Sequence, residues 1–306
     1  MRHLSLFSFC FFIFYSLLLL SPLSAETDSI PSSYIIVNFK TGRVCEIQDS
    51  LGLLDHPFPP GSVIKIFSTL AYLYSGGDSK KVLLCKETES GDPIPPACWY
   101  RPGHGHLDLT GALAQSCDTY FSKIFTSIRY NSLMSILESS DLLDEEIMEN
   151  IYQLSSSEKR KTWIGIGKHL RMKPIDLFLS VNGIAGDGKF YRRSDSLLIF
   201  KKKSHYNDDF IEVIKEGMRE GSITGTTKIA QEILGMQPVF GKTGTATYFY
   251  NEEDYRKTHG YYLGFYPFPY PEYGILVFLL EGDGRTAVEK GAHLLKDYLE
   301  QKEEGN

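Results

Sequence analysis

Ser62 and Lys65 stand three residues apart at the start of an apolar run, and Lys242-Thr243-Gly244 lies far downstream in a strand-like run. A spacing of three places two side chains on one helical face. Serine is a weak nucleophile near neutral pH and needs an adjacent base. Lysine can act as that base when burial or a neighbouring positive charge keeps it neutral. A second lysine, carried by a strand, would supply such a field and could also hold a substrate carboxylate. The combination suggests acyl transfer through serine, with lysine in the place more often held by histidine.

Context separates these motifs from their duplicates. Ser-x-x-Lys recurs at Ser156/Lys159, inside the polar run Ser155-Ser156-Ser157-Glu158-Lys159-Arg160-Lys161, which reads as solvated surface. Lys-Thr-Gly recurs at Lys40-Thr41-Gly42, between Tyr34–Val37 and Val44–Ile47, where it reads as a hairpin turn. By contrast, Pro59-Pro60-Gly61-Ser62 is a turn feeding a helix start. The residues after it, Val63, Ile64, Ile66, Phe67, Leu70, Ala71, Leu73 and Tyr74, make a helix that is apolar nearly all round. Such a helix is buried, so a lysine in its first turn needs a reason.

Residues 1–25 read as a secretory signal: Arg2 and His3, then the apolar stretch Leu4–Leu20, then the small residues of Ser21-Pro22-Leu23-Ser24-Ala25. The stretch also falls within the roughly 17–25 residues of a membrane span, so an uncleaved anchor is the alternative. Either way the expectation is an exported protein, in the periplasm or on the outer face of the cytoplasmic membrane. Residues 26–306 then form one large domain or two intimate ones. The net charge of -6 and the lack of a basic stripe argue against nucleic acid as a partner. An exported compartment permits disulfides, and Cys85 and Cys98 flank a turn-rich segment, so they are the expected pair. Together with His104 and His106 they could be written as a zinc set, but the spacing fits no standard pattern, and no metal is expected.

Two strands, Tyr34–Val37 and Val44–Ile47, open the mature chain. A block of helices follows: Ser62–Tyr74, then Leu109–Ala114 leading past Ser116-Cys117-Asp118 into Tyr120–Ile128, then residues 131–163 as a polar cap, and Pro174–Ile184. Phe210–Glu220 is amphipathic, with Phe210, Ile211, Ile214 and Met218 on one stripe. Val239–Thr247, Gly260–Tyr266 and Gly274–Glu281 read as three strands, and Ala287–Leu299 as a closing helix. This order predicts an α+β fold. An antiparallel sheet is built from both chain ends, helices pack on it, and a helical subdomain is inserted between.

The motif set resembles the transpeptidase domain of penicillin-binding proteins, within the wider family of penicillin-recognising serine enzymes that includes β-lactamases. Gly61-Ser62-Val63-Ile64-Lys65 resembles the nucleophile motif, Ser116-Cys117-Asp118 the second motif and Lys242-Thr243-Gly244-Thr245 the third. Gly165-Ile166-Gly167, Met172–Leu177 and Gly260–Pro267 resemble the intervening turn, helix and strand, so the likeness spans nearly the whole mature chain. The resemblance implies Ser62 as acylated nucleophile, Lys65 as its base and Ser116 as a proton relay. It implies that Lys242 and Thr243 bind a terminal carboxylate, with Gly244 and Asp118 lining the site. Backbone N–H groups of Ser62 and Thr245 would form an oxyanion hole. It further implies peptidoglycan stem peptides ending in D-Ala-D-Ala as substrates, covalent inhibition by β-lactams, no cofactor, and room for a cell-wall enzyme as partner. The chain departs from the family at Asp118, where asparagine is usual: an ionised aspartate only accepts hydrogen bonds, whereas asparagine also donates. D,D-carboxypeptidase, β-lactamase and non-catalytic binding module remain the alternative readings. No glutamate is assignable as the base that fast β-lactam deacylation needs.

Overall fold

A computed structural model describes residues 31–86, 98–235, 238–247 and 257–304. The expected signal, the aromatic run Tyr248-Phe249-Tyr250 and most of the turn-rich segment between Cys85 and Cys98 lie outside the described residues. Among the described residues no helix is long and apolar enough to cross a membrane.

Nine strands are described: β1 (Ser32–Asn38), β2 (Arg43–Gln48), β3 (Leu83–Cys85), β4 (Gly105–Leu107), β5 (Lys189–Ser194), β6 (Leu197–Lys203), β7 (Phe240–Thr247), β8 (Thr258–Tyr266) and β9 (Tyr273–Leu279). The helices are α1 (Lys65–Tyr74), α2 (Leu109–Ala114), α3 (Asp118–Ile124), α4 (Tyr130–Ser139), α5 (Glu145–Gln153), α6 (Ser156–Trp163), α7 (Pro174–Ala185), α8 (Asp208–Ile223), α9 (Lys228–Leu234) and α10 (Gly284–Glu304). Seven strands form one sheet in the order β5-β6-β2-β1-β9-β8-β7, and β3 pairs with β4 apart from it. The first strand lies between β2 and β9 and runs antiparallel to both. Both chain ends therefore build the sheet, as the order of elements predicts.

Alternate side chains of the central strands feed two cores, which follows from the period of two in a strand. Ile36, Tyr262, Ile275 and Val277 pack on one face under Val288, Ala292 and Leu295 of α10. Ile35, Val37, Tyr261, Leu263, Leu276 and Phe278 face the other way, into the core that contains α1 and α7. Being covered on both faces, these strands read in the sequence as continuous apolar runs rather than as alternation. The first helix is buried along Lys65–Leu73. Each fully buried Ile, Leu or Phe there contributes about 1.5–3 kcal/mol of transfer free energy, which fixes the helix carrying Lys65 rigidly in the core.

The structure corrects the expected elements in two places. The sheet continues through β5 and β6, which were not anticipated; they join it at β2 through the pair Arg43↔Leu197. Secondly, the α1 helix begins at Lys65, because Gly61–Ile64 forms a tighter 3-10 turn before it. Lys40-Thr41-Gly42 is the expected hairpin turn, with Gly42 at φ +69° and the Thr41 amide donating to Asn38 Oδ1 at 2.7 Å. Ser156 and Lys159 sit on α6, whose N-terminus is closed by a capping box between Ser155 and Glu158.

Candidate active site

The turn Gly61–Ile64 is pressed between two backbones. Gly61 has φ +55°, and a Cβ there would lie 2.8 Å from the Thr245 carbonyl oxygen of β7. Gly165 has φ +85°, and a Cβ there would lie 2.4 Å from Gly61 O and 2.7 Å from Ser62 Cα. Only glycine allows this conformation and this approach together. The result seats Ser62 beside the middle of β7 while leaving it half-buried.

Lys65, at the first position of α1, is fully buried. Its Nζ donates to Ser62 Oγ at 2.8 Å and to Asp118 Oδ1 at 2.6 Å, and lies 5.8 Å from the centre of the Phe121 ring. The helical spacing thus delivers the serine–lysine contact it predicts. Asp118 opens α3, and its second oxygen accepts the Trp99 backbone N–H at 3.3 Å. Asp118 is almost wholly buried, and both oxygens are engaged by protein donors, because a buried anion that can only accept must find a cation and N–H groups.

Ser116 holds a positive φ of +52° in the turn between α2 and α3 and is 4% exposed. That turn is closed by the Cys117 N–H donating to Ala112 O at 2.9 Å. Trp99 Nε1 donates to Ser116 O at 3.2 Å and to Gln115 O at 3.3 Å, so the indole lies across the turn from outside. Lys242 Nζ reaches Ser116 Oγ at 3.0 Å and Thr243 O at 3.0 Å. Burial holds Lys242 well below the ordinary lysine range; the positive charge of Lys65 acts in the same direction, and Asp118 partly offsets both. The two lysines therefore differ in kind. Lys65 has a carboxylate partner, whereas Lys242 hydrogen-bonds a hydroxyl and a carbonyl.

Thr243 Oγ1 donates to Thr226 Oγ1 at 2.9 Å, and Thr245 Oγ1 accepts the Gly284 N–H at 2.9 Å. Gly244 packs its α-carbon side toward Pro60 O and Val63 Cγ2, so this strand lies flat against the nucleophile turn. The structure brings Ser62, Lys65 and Asp118 together in one hydrogen-bonded chain and Ser116 with Lys242 in another. Thr243 and Thr245 do not touch either lysine side chain through their hydroxyls. Thr226, from the turn between α8 and α9, was not anticipated as a neighbour of the third motif. Its only sequence signal is the Gly-Thr-Thr of Gly225-Thr226-Thr227, a turn like many others.

The expected Cys85–Cys98 disulfide is not formed, and both are free thiols. Each sulfur turns instead toward His104 Nδ1, at 3.6 Å from Cys85 and 3.4 Å from Cys98. Cys98 and Cys117 share a thiol–thiol hydrogen bond at 4.0 Å. That bond pulls the Cys98 thiol well below the ordinary thiol range, with help from His104 and against the effect of burial, and pushes Cys117 upward. His106, the other histidine of the sequence motif, belongs to the exposed side of β4 and not to this cluster.

A serine, its buried lysine and a second lysine on an adjoining strand define a serine acyltransferase arrangement on an α+β scaffold. The chain belongs to the penicillin binding protein transpeptidase domain family, whose match spans residues 31–300. No curated protein sequence matches it. Among solved structures it is similar to the transpeptidase domain of penicillin-binding protein 3 from Burkholderia pseudomallei, with a TM-score of 0.72 and 17% identity over 88% of each chain. It is similar to the D,D-transpeptidase domain of a peptidoglycan glycosyltransferase from Eggerthella lenta, with a TM-score of 0.71 and 17% identity over 90% of this chain and 79% of that one. It is also similar to penicillin-binding protein PBP2 of Helicobacter pylori in its complex with MreC, with a TM-score of 0.70 and 18% identity over 91% of this chain and 61% of that one. At such identities the likeness is one of fold, and the family assignment carries the transpeptidase-type function.

Proposed function

We propose that the protein is an exported serine D,D-transpeptidase that acts on stem peptides ending in D-Ala-D-Ala and forms an acyl-enzyme at Ser62. The observation that carries this reading is the 2.8 Å contact between Lys65 Nζ and Ser62 Oγ, inside a motif set shared with the family. Ser62 Oγ attacks the penultimate D-Ala carbonyl, and its proton passes to neutral Lys65. The backbone N–H groups of Ser62 and Thr245 receive the developing oxyanion. Ser116, hydrogen-bonded to Lys242, relays a proton to the departing D-alanine amine. Lys242, Thr243 and Thr226 present the cation and hydroxyls that a terminal carboxylate needs. An amine from a neighbouring stem then attacks the acyl-enzyme and completes the cross-link. A cell-wall enzyme or other protein is the expected partner, as PBP2 of Helicobacter pylori forms a complex with MreC.

A second reading is favoured by one observation. The buried Asp118 carboxylate holds Lys65 Nζ at 2.6 Å, where the family usually has asparagine, and so competes with Ser62 Oγ for the proposed base. On that reading the protein is a slow acylator or a non-catalytic binding module. The two separate in a cross-linking assay with a pentapeptide ending in D-Ala-D-Ala and an acceptor amine. Release of D-alanine with formation of the amide product supports the transpeptidase. Release of D-alanine without the product points to a carboxypeptidase. Neither, across neutral and alkaline pH, supports the binding module.

A further inference from the structure

We propose that Cys85, Cys98, His104 and Cys117 bind a structural zinc ion that ties the Cys98-Trp99 segment to the turn bearing Ser116 and Asp118. The four residues come from separate places in the chain. Cys85 ends β3, and His104 immediately precedes β4, which pairs with β3 through Cys85↔Gly105. Cys98 enters from the segment before that hairpin closes, and Cys117 is the N-cap of α3. Their ligand atoms nonetheless all lie within 4.8 Å of one another.

Three of the six ligand-to-ligand distances match a tetrahedral ion. With Zn–S near 2.3 Å and Zn–N near 2.0–2.1 Å, tetrahedral ligands stand about 3.8 Å apart for two sulfurs and about 3.6 Å apart for sulfur and nitrogen. The structure has 4.0 Å between Cys98 Sγ and Cys117 Sγ, and 3.6 and 3.4 Å from His104 Nδ1 to Cys85 Sγ and Cys98 Sγ. A disulfide would bring two sulfurs to about 2.05 Å and strand the third. One zinc ion uses all three sulfurs and the nitrogen, and leaves no open coordination position, which is the pattern of a structural site.

The histidine supplies an independent indication. Its Nε2 is buried without a hydrogen-bond partner, so the ring is oriented by what Nδ1 meets. Trp99 and Tyr100 pack on the imidazole with ring centres at 5.5 and 5.0 Å and shield it from solvent. The Tyr120 N–H donates to Cys117 Sγ at 3.4 Å, an outer contact that steadies a coordinated thiolate. Binding is balanced by release of the thiol protons as each cysteine becomes a thiolate.

The ion would sit one residue from the site described above. Cys117 lies between Ser116 and Asp118, and the residue after Cys98 donates its backbone N–H to Asp118 and its indole N–H to the Ser116 carbonyl. Zinc would therefore clamp the second motif from outside. This consequence for acylation rests on the reading under Proposed function; the metal site itself does not.

The test uses the full chain, produced with zinc supplied and purified without chelator. Elemental analysis should give stoichiometric zinc, and cobalt(II) in its place should give the strong visible bands of a tetrahedral thiolate site. Cys98→Ser and His104→Ala should lose most of the metal. Cys45→Ser, outside the cluster, and His104→Cys, which keeps a donor, should retain it. If the losing variants do not fold, chelator titration of the unaltered protein replaces them, with thiol exposure rising as metal leaves. Zinc no higher than background with free thiols, or a native disulfide between any two of these cysteines, would overturn the proposal. Ser62→Ala should keep full zinc while losing acylation, so the metal site and the catalytic reading fail separately.

Discussion

Asp118→Asn is the substitution whose outcome depends most directly on the geometry around Lys65. The pair is 2.6 Å apart, with side-chain exposures of 0% and 6%. At an effective dielectric constant near 20, unit charges at that separation attract by about 6 kcal/mol before desolvation is counted. Much of this is offset by the cost of burying two ions. An asparagine keeps a dipole against Lys65 but loses the charge. If about a quarter of the attraction is lost, the hold on Nζ loosens by about 1.5 kcal/mol and frees it toward Ser62 Oγ, roughly a tenfold effect on rate. Acylation by a penicillin should therefore speed up about tenfold near neutral pH. Stability should fall, because removing one partner of a buried pair costs about 3–5 kcal/mol. The assay is the second-order acylation rate against pH, with a denaturation curve for each protein. An unchanged or slower rate for Asp118→Asn over the whole range would refute the reasoning, since the carboxylate would then be helping the base rather than restraining it.

Gly165→Ala should place a methyl group against Gly61 and Ser62, lowering the melting temperature and slowing acylation; Gly76→Ala, with a similar φ of +87° but open space around it, should leave acylation intact. Because burial and the neighbouring Lys65 hold Lys242 well below the ordinary lysine range, the pH dependence contributed by its deprotonation should fall well below that range, and Lys242→Arg, which stays charged, should remove that limb from an acylation profile. His259 is buried, and burial pushes its imidazole down to about 4, against a contact with Pro59 O at 2.8 Å. The unfolded chain takes up that proton near pH 6.5 and the folded one only near 4, so stability should fall by about 3 kcal/mol as pH drops between those values. Chemical denaturation at several pH values checks this, and His259→Gln should flatten the slope.

The geometry of the candidate site was legible where it is local or carried by one strand. Ser62 and Lys65 needed only helical spacing, and the flat approach of β7 to the nucleophile turn is written in Gly61 and Gly244. The ends of the sheet were less so. Strands β5 and β6 carry Lys189, Arg192, Arg193 and Lys201–Lys203 among their residues, so their charge hides the alternation that betrays a strand. Asp118 was legible as a departure in type and, through its place in the second motif, as a negative charge near Lys65; its burial and the Trp99 N–H on its second oxygen leave no local pattern. The cysteine cluster is the clearest case. Nearness in sequence and an oxidising compartment suggested joining Cys85 to Cys98, whereas the β3–β4 pairing and the α3 cap bring both to His104 and Cys117.

The account rests on Ser62 as the nucleophile, and the most direct measurement is the intact mass of the protein after incubation with a penicillin, followed by peptide mapping. The account predicts a mass gain of one penicillin, located on the peptide containing Ser62, absent from Ser62→Ala and severely slowed in Lys65→Ala. Attachment at another residue, or equal attachment to the Ser62→Ala protein, would contradict it.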